Sequence, residues 1–334
     1  MNRHAGEARC TDTFEARHTD TTVTRDADAA VVALGTATRH RGPALASAAA
    51  RLVRPLLHRA LLWGLRPPRM PHRPAVASLP RVRSELRTLT LSGARGQRIA
   101  AWLVVPGHAP HAAPMPAVLA LHGWGANAST LWPVVDPLVT AGMAVMLLDA
   151  SCHGDSGNEA FMSLPRFAED LAAALHALRN DRAIDPARIA LLGHSVGAAA
   201  TLLHGAHHHD VRAIVSLAAF AHPADVMRRW LREHRIPQAR IGEAILAHVQ
   251  RVIGARFDEI APIGLVHRID CPVLFVHGTR DTAVPPADAQ RLCGASPRGE
   301  LLWVDGAHDL RGALAPHTAR VVDFLCRATA ARSD

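Results

Sequence analysis

The strongest constraint on this chain is the pentad Gly193-His194-Ser195-Val196-Gly197, together with what flanks it. An apolar run, Ile189 to Leu192, precedes it. A small-residue stretch follows at helical spacing, from Val196 through Ala198, Ala199, Ala200 and Leu203. A strand that turns at once into a helix leaves the serine at the tip of a sharp turn. The flanking glycines carry no Cβ, so strand and helix can close around a strained residue. The helix N-terminus then lies beside the hydroxyl and favours negative charge there. A G-x-S-x-G pattern also arises by chance, so the rest of the chain must supply a base, an acid and an oxyanion site.

From about Leu86 the chain alternates strand-like and helix-like segments. Leu86 to Leu91 and Ile99 to Val105 read as two antiparallel strands joined through Gly93 and Gly96. Short continuous apolar runs follow at Ala117 to Leu121, Ala144 to Leu148, Ile189 to Leu192, Val211 to Leu217, Val273 to Val276 and Leu301 to Val304. Between them stand helical patterns at Leu131 to Ala141, Arg166 to Arg179 and, last, Thr318 to Thr329. Apolar strands alternating with helices predict an α/β fold: a doubly wound, mostly parallel sheet covered on both faces. Between Ala218 and Ile269 the rhythm breaks, with Met227, Trp230, Leu231, Ile245, Leu246 and Val249 at helical spacing. That stretch reads as a small helical cap at about 220–265, over the edge where such sheets bind ligands. The alternative is a pair of packing helices away from the site.

A serine hydroxyl becomes a nucleophile when a base takes its proton and a third group orients that base. Asp281 follows the strand ending at Val276 and is the candidate acid. His308 follows the last strand and is the candidate base. The oxyanion hole needs two backbone N–H donors. Val196, directly after the nucleophile, is one candidate. The other is Trp124 in the loop His122-Gly123-Trp124-Gly125, its indole expected to wall an acyl pocket. Phe220, His222, Met227 and Trp230 from the cap, with Val284 beside Asp281, are candidate substrate contacts. His207-His208-His209 reads as a surface loop, because three adjacent histidines cannot all face one metal ion. Cys152 stands near the site, but Ser195 has the better nucleophile context.

These motifs resemble the α/β-hydrolase superfamily in order: His122 to Gly125, Asp149-Ala150-Ser151-Cys152-His153-Gly154-Asp155-Ser156-Gly157, Gly193 to Gly197, His277 to Asp281, and Gly306-Ala307-His308. The resemblance spans roughly residues 86–328. It looks nearest to the S33 serine-aminopeptidase-like and dienelactone-hydrolase-like branches. It implies the fold, a Ser195–His308–Asp281 triad and acyl transfer to water, without cofactor or metal. The expected activity is carboxylic ester cleavage on a small acyl substrate. Amide or aminopeptide cleavage and thioester cleavage share the same triad. Dehalogenase-like members carry an aspartate where this chain has Ser195, and the usual His-Gly-Gly-Gly lipase loop is absent.

Charge separates the arm from the body. Residues 1–98 hold 17 Arg against 7 acids, and residues 99–334 hold 20 against 22. Residues 1–43 are polar and read as a disordered arm. Residues 44–65 carry apolar side chains at helical spacing, from Leu52 to Leu65, interspersed with Arg and His. This helix would dock on the body or lie in a membrane interface as a peripheral contact. The run Arg66 to Pro74 reads as an extended linker completing a segment 44–85, before a catalytic domain at 86–334. No nucleic-acid motif accompanies the basic arm, so nucleic acid is not expected as a partner. The five cysteines are scattered, with no C-x-x-C pair and no disulfide framework. The polar N-terminus carries no signal-peptide pattern, and a cytoplasmic location is expected. A non-catalytic binding or scaffold role, acting through the arm and helix 44–65, is the reading of another class.

Overall fold

The computed structural model describes residues 58–59, 62–72, 83–107, 113–310 and 312–331. Eight strands form one sheet in the order β1-β2-β4-β3-β5-β6-β7-β8. They are β1 Ser84–Ser92, β2 Arg98–Pro106, β3 Met115–Leu121, β4 Ala144–Leu148, β5 Ile184–His194, β6 Ile214–Leu217, β7 Val273–Gly278 and β8 Gly299–Val304. β1 and β2 pair antiparallel, and β2 runs antiparallel to β4. Every other pairing is parallel. The five residues of β4 are all buried, as a strand covered on both faces requires.

The helices are α1 Val135–Thr140, α2 Leu164–Arg179, α3 Val196–His208, α4 Pro223–Glu233, α5 Glu243–Ile253, α6 Phe257–Ile260, α7 Pro262–Leu265, α8 Pro286–Ala295 and α9 Thr318–Thr329. In α2, the Ser163 side chain caps the first turn by accepting from the Arg166 N–H. Its Phe167, Leu171, Ala174, Leu175 and Leu178 recur at helical spacing and are buried. Helix α3 is buried continuously from Gly197 to Ala206, which its small side chains permit.

The structure differs from the sequence reading at several places, the strand expected from Val211 among them, which begins at Ile214. The helix expected at 131–141 is a 3-10 helix, Ala128–Val134, continuing into α1; Pro133 lies inside the tighter first part. His207 and His208 form the last turn of α3, and His209 caps it at φ 49, where a loop was expected. The α3 pattern simply runs on through them. Cys293 is disulfide-bonded, whereas Cys152, Cys271 and Cys326 are free.

Between β6 and β7 the chain is helical almost throughout, in α4 to α7 with a π turn at Gln238–Gly242 and a 3-10 turn at Val266–Arg268. The expected arm 1–43 lies outside the described residues. So does most of the expected helix 44–65. His58, Arg59 and Leu62–Gly64 are its described helical residues, and they belong to a separate unit, 12–64. No helix among the described residues is long and apolar enough to cross a membrane.

Leu119 sits in β3 with no exposure, between β4 and β5. Leu119→Ala removes its buried methyl groups and should cost about 2–5 kcal/mol. Urea unfolding should report this as a lower midpoint.

Candidate active site

Ser195 is the single residue between β5 and α3, with φ 54 and ψ −117. A non-glycine residue at positive φ is strained and needs surrounding structure to hold it. Here the Ser195 N–H donates to the Leu217 carbonyl at 2.8 Å, and its own carbonyl accepts from Ala199 at 3.0 Å. A Cβ on Gly193 would collide with the Gly197 carbonyl, and one on Gly197 with the carbonyls of Leu121 and His122. Both positions therefore require glycine.

His308 reaches Ser195 from the loop after β8, its Nε2 standing 2.9 Å from Ser195 Oγ. Its Nδ1 lies 2.7 Å from Asp281 Oδ2. A carboxylate there accepts a hydrogen bond from Nδ1–H, which keeps the proton on Nδ1 and leaves Nε2 to accept from the hydroxyl. Asp281 stands in the loop after β7 and is nearly buried. Burial alone would raise its pKa. Hydrogen bonds from His277 and His308, the charge of His308 and the Val284 N–H at 2.8 Å outweigh that and hold it below the carboxylate range. The His277 Nε2–H also donates to the Val284 carbonyl at 2.9 Å, pinning the turn that presents Asp281.

The loop after β3 passes close to the serine. A Cβ on Gly123 would stand 3.0 Å from that of Ser195. Two imidazoles brace this loop. The His122 Nδ1 donates to the Gly123 carbonyl at 2.7 Å, and its Nε2 accepts from the Ala150 N–H at 3.0 Å. The His153 Nδ1 donates to the Ser151 carbonyl, and its Nε2 accepts from the Gly125 N–H at 3.1 Å. The intervening Trp124 N–H makes no hydrogen bond among the described residues. The Val196 N–H, first in α3, has no intrahelical acceptor. A third imidazole, His194, lies beside Gly123 and donates through Nε2 to the His308 carbonyl at 2.8 Å.

The other expected contacts are placed as follows. The Trp124 indole stacks on Phe167 and meets His153 edge-on. Phe220 and Val284 are buried, and Met227 is half-buried on α4. His222 caps α4, accepting from the Ala224 N–H, and its other nitrogen pairs with Asp258. Trp230 is half-exposed and stacked on His234. Burial raises the Cys152 thiol, which exchanges hydrogen bonds with the Glu159 backbone. Ser156 ties the β4 loop to β2, donating to the Asp149 carbonyl and accepting from the Ala100 N–H.

Residues 66–72, expected as a linker, form a strap on these loops. The Arg69 guanidinium donates to the Gly154 and Ser156 carbonyls and to Asn158 Oδ1. The Asn127 side chain donates to the Met70 and Pro71 carbonyls. Pro68 packs against Gly125, and His72 stacks on Trp102 with its Nε2 3.7 Å from the buried Asp149. Asp149 in turn accepts from the Ala128 and Asp155 N–H groups. His72, Asp149 and Asp155 are the residues here that could hold a metal ion. Both oxygens of Asp149 already serve the loop backbone.

Burial holds the imidazoles of His122 and His194 down at about 4 and that of His153 at about 3. In an unfolded chain each takes a proton near pH 6.5. Between pH 6.5 and 4 the unfolded state therefore binds more protons, and acidification lowers stability. Each imidazole contributes up to roughly 1.4 kcal/mol per pH unit. Asp281, depressed, contributes above the unfolded carboxylate pKa and loses that contribution only at lower pH. Asp149 and Asp170, both raised by burial, oppose the trend where they titrate. The His153→Gln variant, keeping an acceptor for Gly125, should flatten the fall in urea midpoint between pH 6.5 and 5. An unchanged slope would contradict this account.

The chain matches the family model described as serine aminopeptidase, S33, over residues 112–256. It is 23% identical to the uncharacterized protein YfhR of Escherichia coli over 244 residues, covering 70% of this chain and 78% of that one. Among solved structures, the Pyrococcus furiosus esterase Pf2001 aligns with a TM-score of 0.60 at 20% identity, over 80% of this chain and 98% of that one. Est1E from Butyrivibrio proteoclasticus, solved with ferulic acid bound, aligns with a TM-score of 0.58 at 19% identity, over 72% and 98%. The family match contains the loop after β3 and the Ser195 turn and ends before Asp281 and His308. The chain has the α/β-hydrolase fold, and its residues 112–256 are similar to the S33 family.

Proposed function

We propose that the protein is a serine hydrolase that cleaves carboxylic esters through an acyl-enzyme. The observation that carries this reading is one unbroken hydrogen-bond line, Ser195 Oγ to His308 Nε2 at 2.9 Å and His308 Nδ1 to Asp281 at 2.7 Å. It begins on a serine held at positive φ.

Ser195 Oγ attacks the ester carbonyl while His308 Nε2 takes its proton. The negative charge on the carbonyl oxygen is received by the Trp124 and Val196 N–H groups, at the N-terminus of α3. The tetrahedral centre collapses, the carbon–oxygen bond to the alcohol breaks, and His308 returns its proton to the leaving oxygen. Water then repeats the attack on the acyl-enzyme, with His308 as base, and releases the acid. Asp281 keeps the imidazole in the required tautomer and stabilises its cation.

Amide cleavage is the second reading, favoured by the name of the matched family model. An aminopeptidase must hold the substrate amine with acids near the cap. Of the four candidates there, Glu243 pairs with Arg228, Asp258 with His222 and Arg256, and Glu259 accepts from the Arg256 N–H, while Glu233 is exposed on α4 without an ion pair among the described residues. The engagement of three of the four favours the ester. Comparing p-nitrophenyl acyl esters with aminoacyl p-nitroanilides separates the two; faster turnover of the anilides would overturn the ester reading.

A fluorophosphonate should label the protein, and Ser195→Ala should abolish labelling with a loss of at least about 10³-fold in kcat. Asp281→Asn should cost roughly 10⁴-fold in kcat through the wrong tautomer. Equal labelling of Ser195→Ala would end the proposal.

A further inference from the structure

Beside the candidate site, the 3-10 helix Ala128–Val134, helix α1 and the segment 309–322 enclose a cavity of about 280 Å³. Its walls are hydrocarbon, including Leu131, Leu138, Leu217 and Leu314. At a share of about 30 Å³ per liquid water, the volume equals roughly nine waters, similar to a chain of about eight carbons. An apolar cavity gains little from holding water and much from holding hydrocarbon.

The cavity meets the site through its chain neighbours. His194 precedes Ser195, Asp309 follows His308, and Ala126 belongs to the loop that carries Trp124; all three line it. The buried His194 ring is held neutral and donates to the His308 carbonyl, so it presents an uncharged face to the cavity. No residue of the helical segment 218–268 lines it. Ser195, Trp124 and His308 do not themselves line it, but their chain neighbours do, and an ester has two arms, one of which has room in a cavity at that place.

Met70, from the strap, also lines the cavity, and its exposure marks it as the rim. Its backbone is held by Asn127, and its neighbour Arg69 is anchored to the β4 loop. Its side chain is 46% exposed. A methionine on a fixed backbone has three rotatable bonds and adapts to what lies beneath it.

We propose that this cavity receives a hydrocarbon arm of the ester substrate, and that Met70 at its rim sets the chain length accepted. This rests on the ester-hydrolase reading above and adds a substrate class to it: esters with one linear arm of medium length.

The test uses the full chain and two substrate series, p-nitrophenyl alkanoates from acetate to dodecanoate and n-alkyl acetates from ethyl to decyl. One series varies the acyl arm and the other the alcohol arm. The quantity read is kcat/KM for the eight-carbon member divided by that for the two-carbon member. Leu131→Trp, which fills the cavity, should lower this ratio at least tenfold in one series, naming the arm that enters. Met70→Ala, a rim change tolerable to folding, should raise the ratio in the same series at least threefold and move the optimum to longer chains. Ratios unchanged by both variants in both series, with Ser195 still labelled by a short-chain fluorophosphonate, would overturn this inference alone. Absence of labelling in the unaltered protein would overturn the hydrolase reading and this one with it.

Discussion

The missing Cβ of Gly197 is the constraint on which the site depends. The Leu121 and His122 carbonyls occupy the space a side chain there would need. The end of β3 therefore lies directly on the first turn of α3. That closeness places Gly123 against Ser195, and so sets the distance between the loop after β3 and the turn after β5. The parallel sheet does the remainder. β3, β5, β7 and β8 all end on one edge, so the loops carrying Trp124, Ser195, Asp281 and His308 converge without any long-range rearrangement.

Neutral histidine is the second structural theme. A buried charged side chain would need a partner, whereas a neutral imidazole offers one donor and one acceptor in a rigid plane. His122 and His153 each spend that pair on backbone groups of the loops after β3 and β4, bracketing the Gly123–Gly125 peptides. Because the Gly123 carbonyl accepts from His122, the Trp124 N–H at the other end of that peptide is polarised. A ring that would be too costly if charged thus orders the peptides beside Ser195.

The sheet was legible in the sequence because its strands are continuous apolar runs with one interpretation in a chain of alternating helices. Thr318–Thr329 was read to its ends for the same reason: its period is helical and its neighbours are polar. Ser195, Asp281 and His308 stood out because each follows its own strand, a positional signal independent of composition. The bracing imidazoles carried no such signal. With 22 histidines in the chain, His153, His194 and His277 could not be told from the rest until their hydrogen bonds were seen. His222 and Trp230 were weighed as pocket residues from the cap's composition alone. Trp230 stacks on its i,i+4 neighbour His234, a pairing that helical periodicity does allow, whereas His222 pairs with Asp258 from a later helix, a tertiary choice that periodicity does not encode.

The strap marks where similarity and structure part. Residues 66–72 lie outside every family motif, yet their prolines and one arginine fit the needs of the loops beside them. Proline lacks an N–H and is pre-set to an extended path, so a proline-rich segment crosses a surface with few donors to satisfy and its carbonyls available. Asn127 uses two of those carbonyls. The fork of Arg69 supplies donors to carbonyls at Gly154 and Ser156 in a loop that belongs to no sheet. An unsatisfied carbonyl in a packed loop is costly, so the segment that supplies the donor becomes part of the domain whatever its sequence resembles. The compact unit of this protein therefore takes in the strap, before the first strand, and the strap's exposed Met70 comes to line a largely apolar cavity that also touches His194, beside Ser195, and Asp309, beside His308.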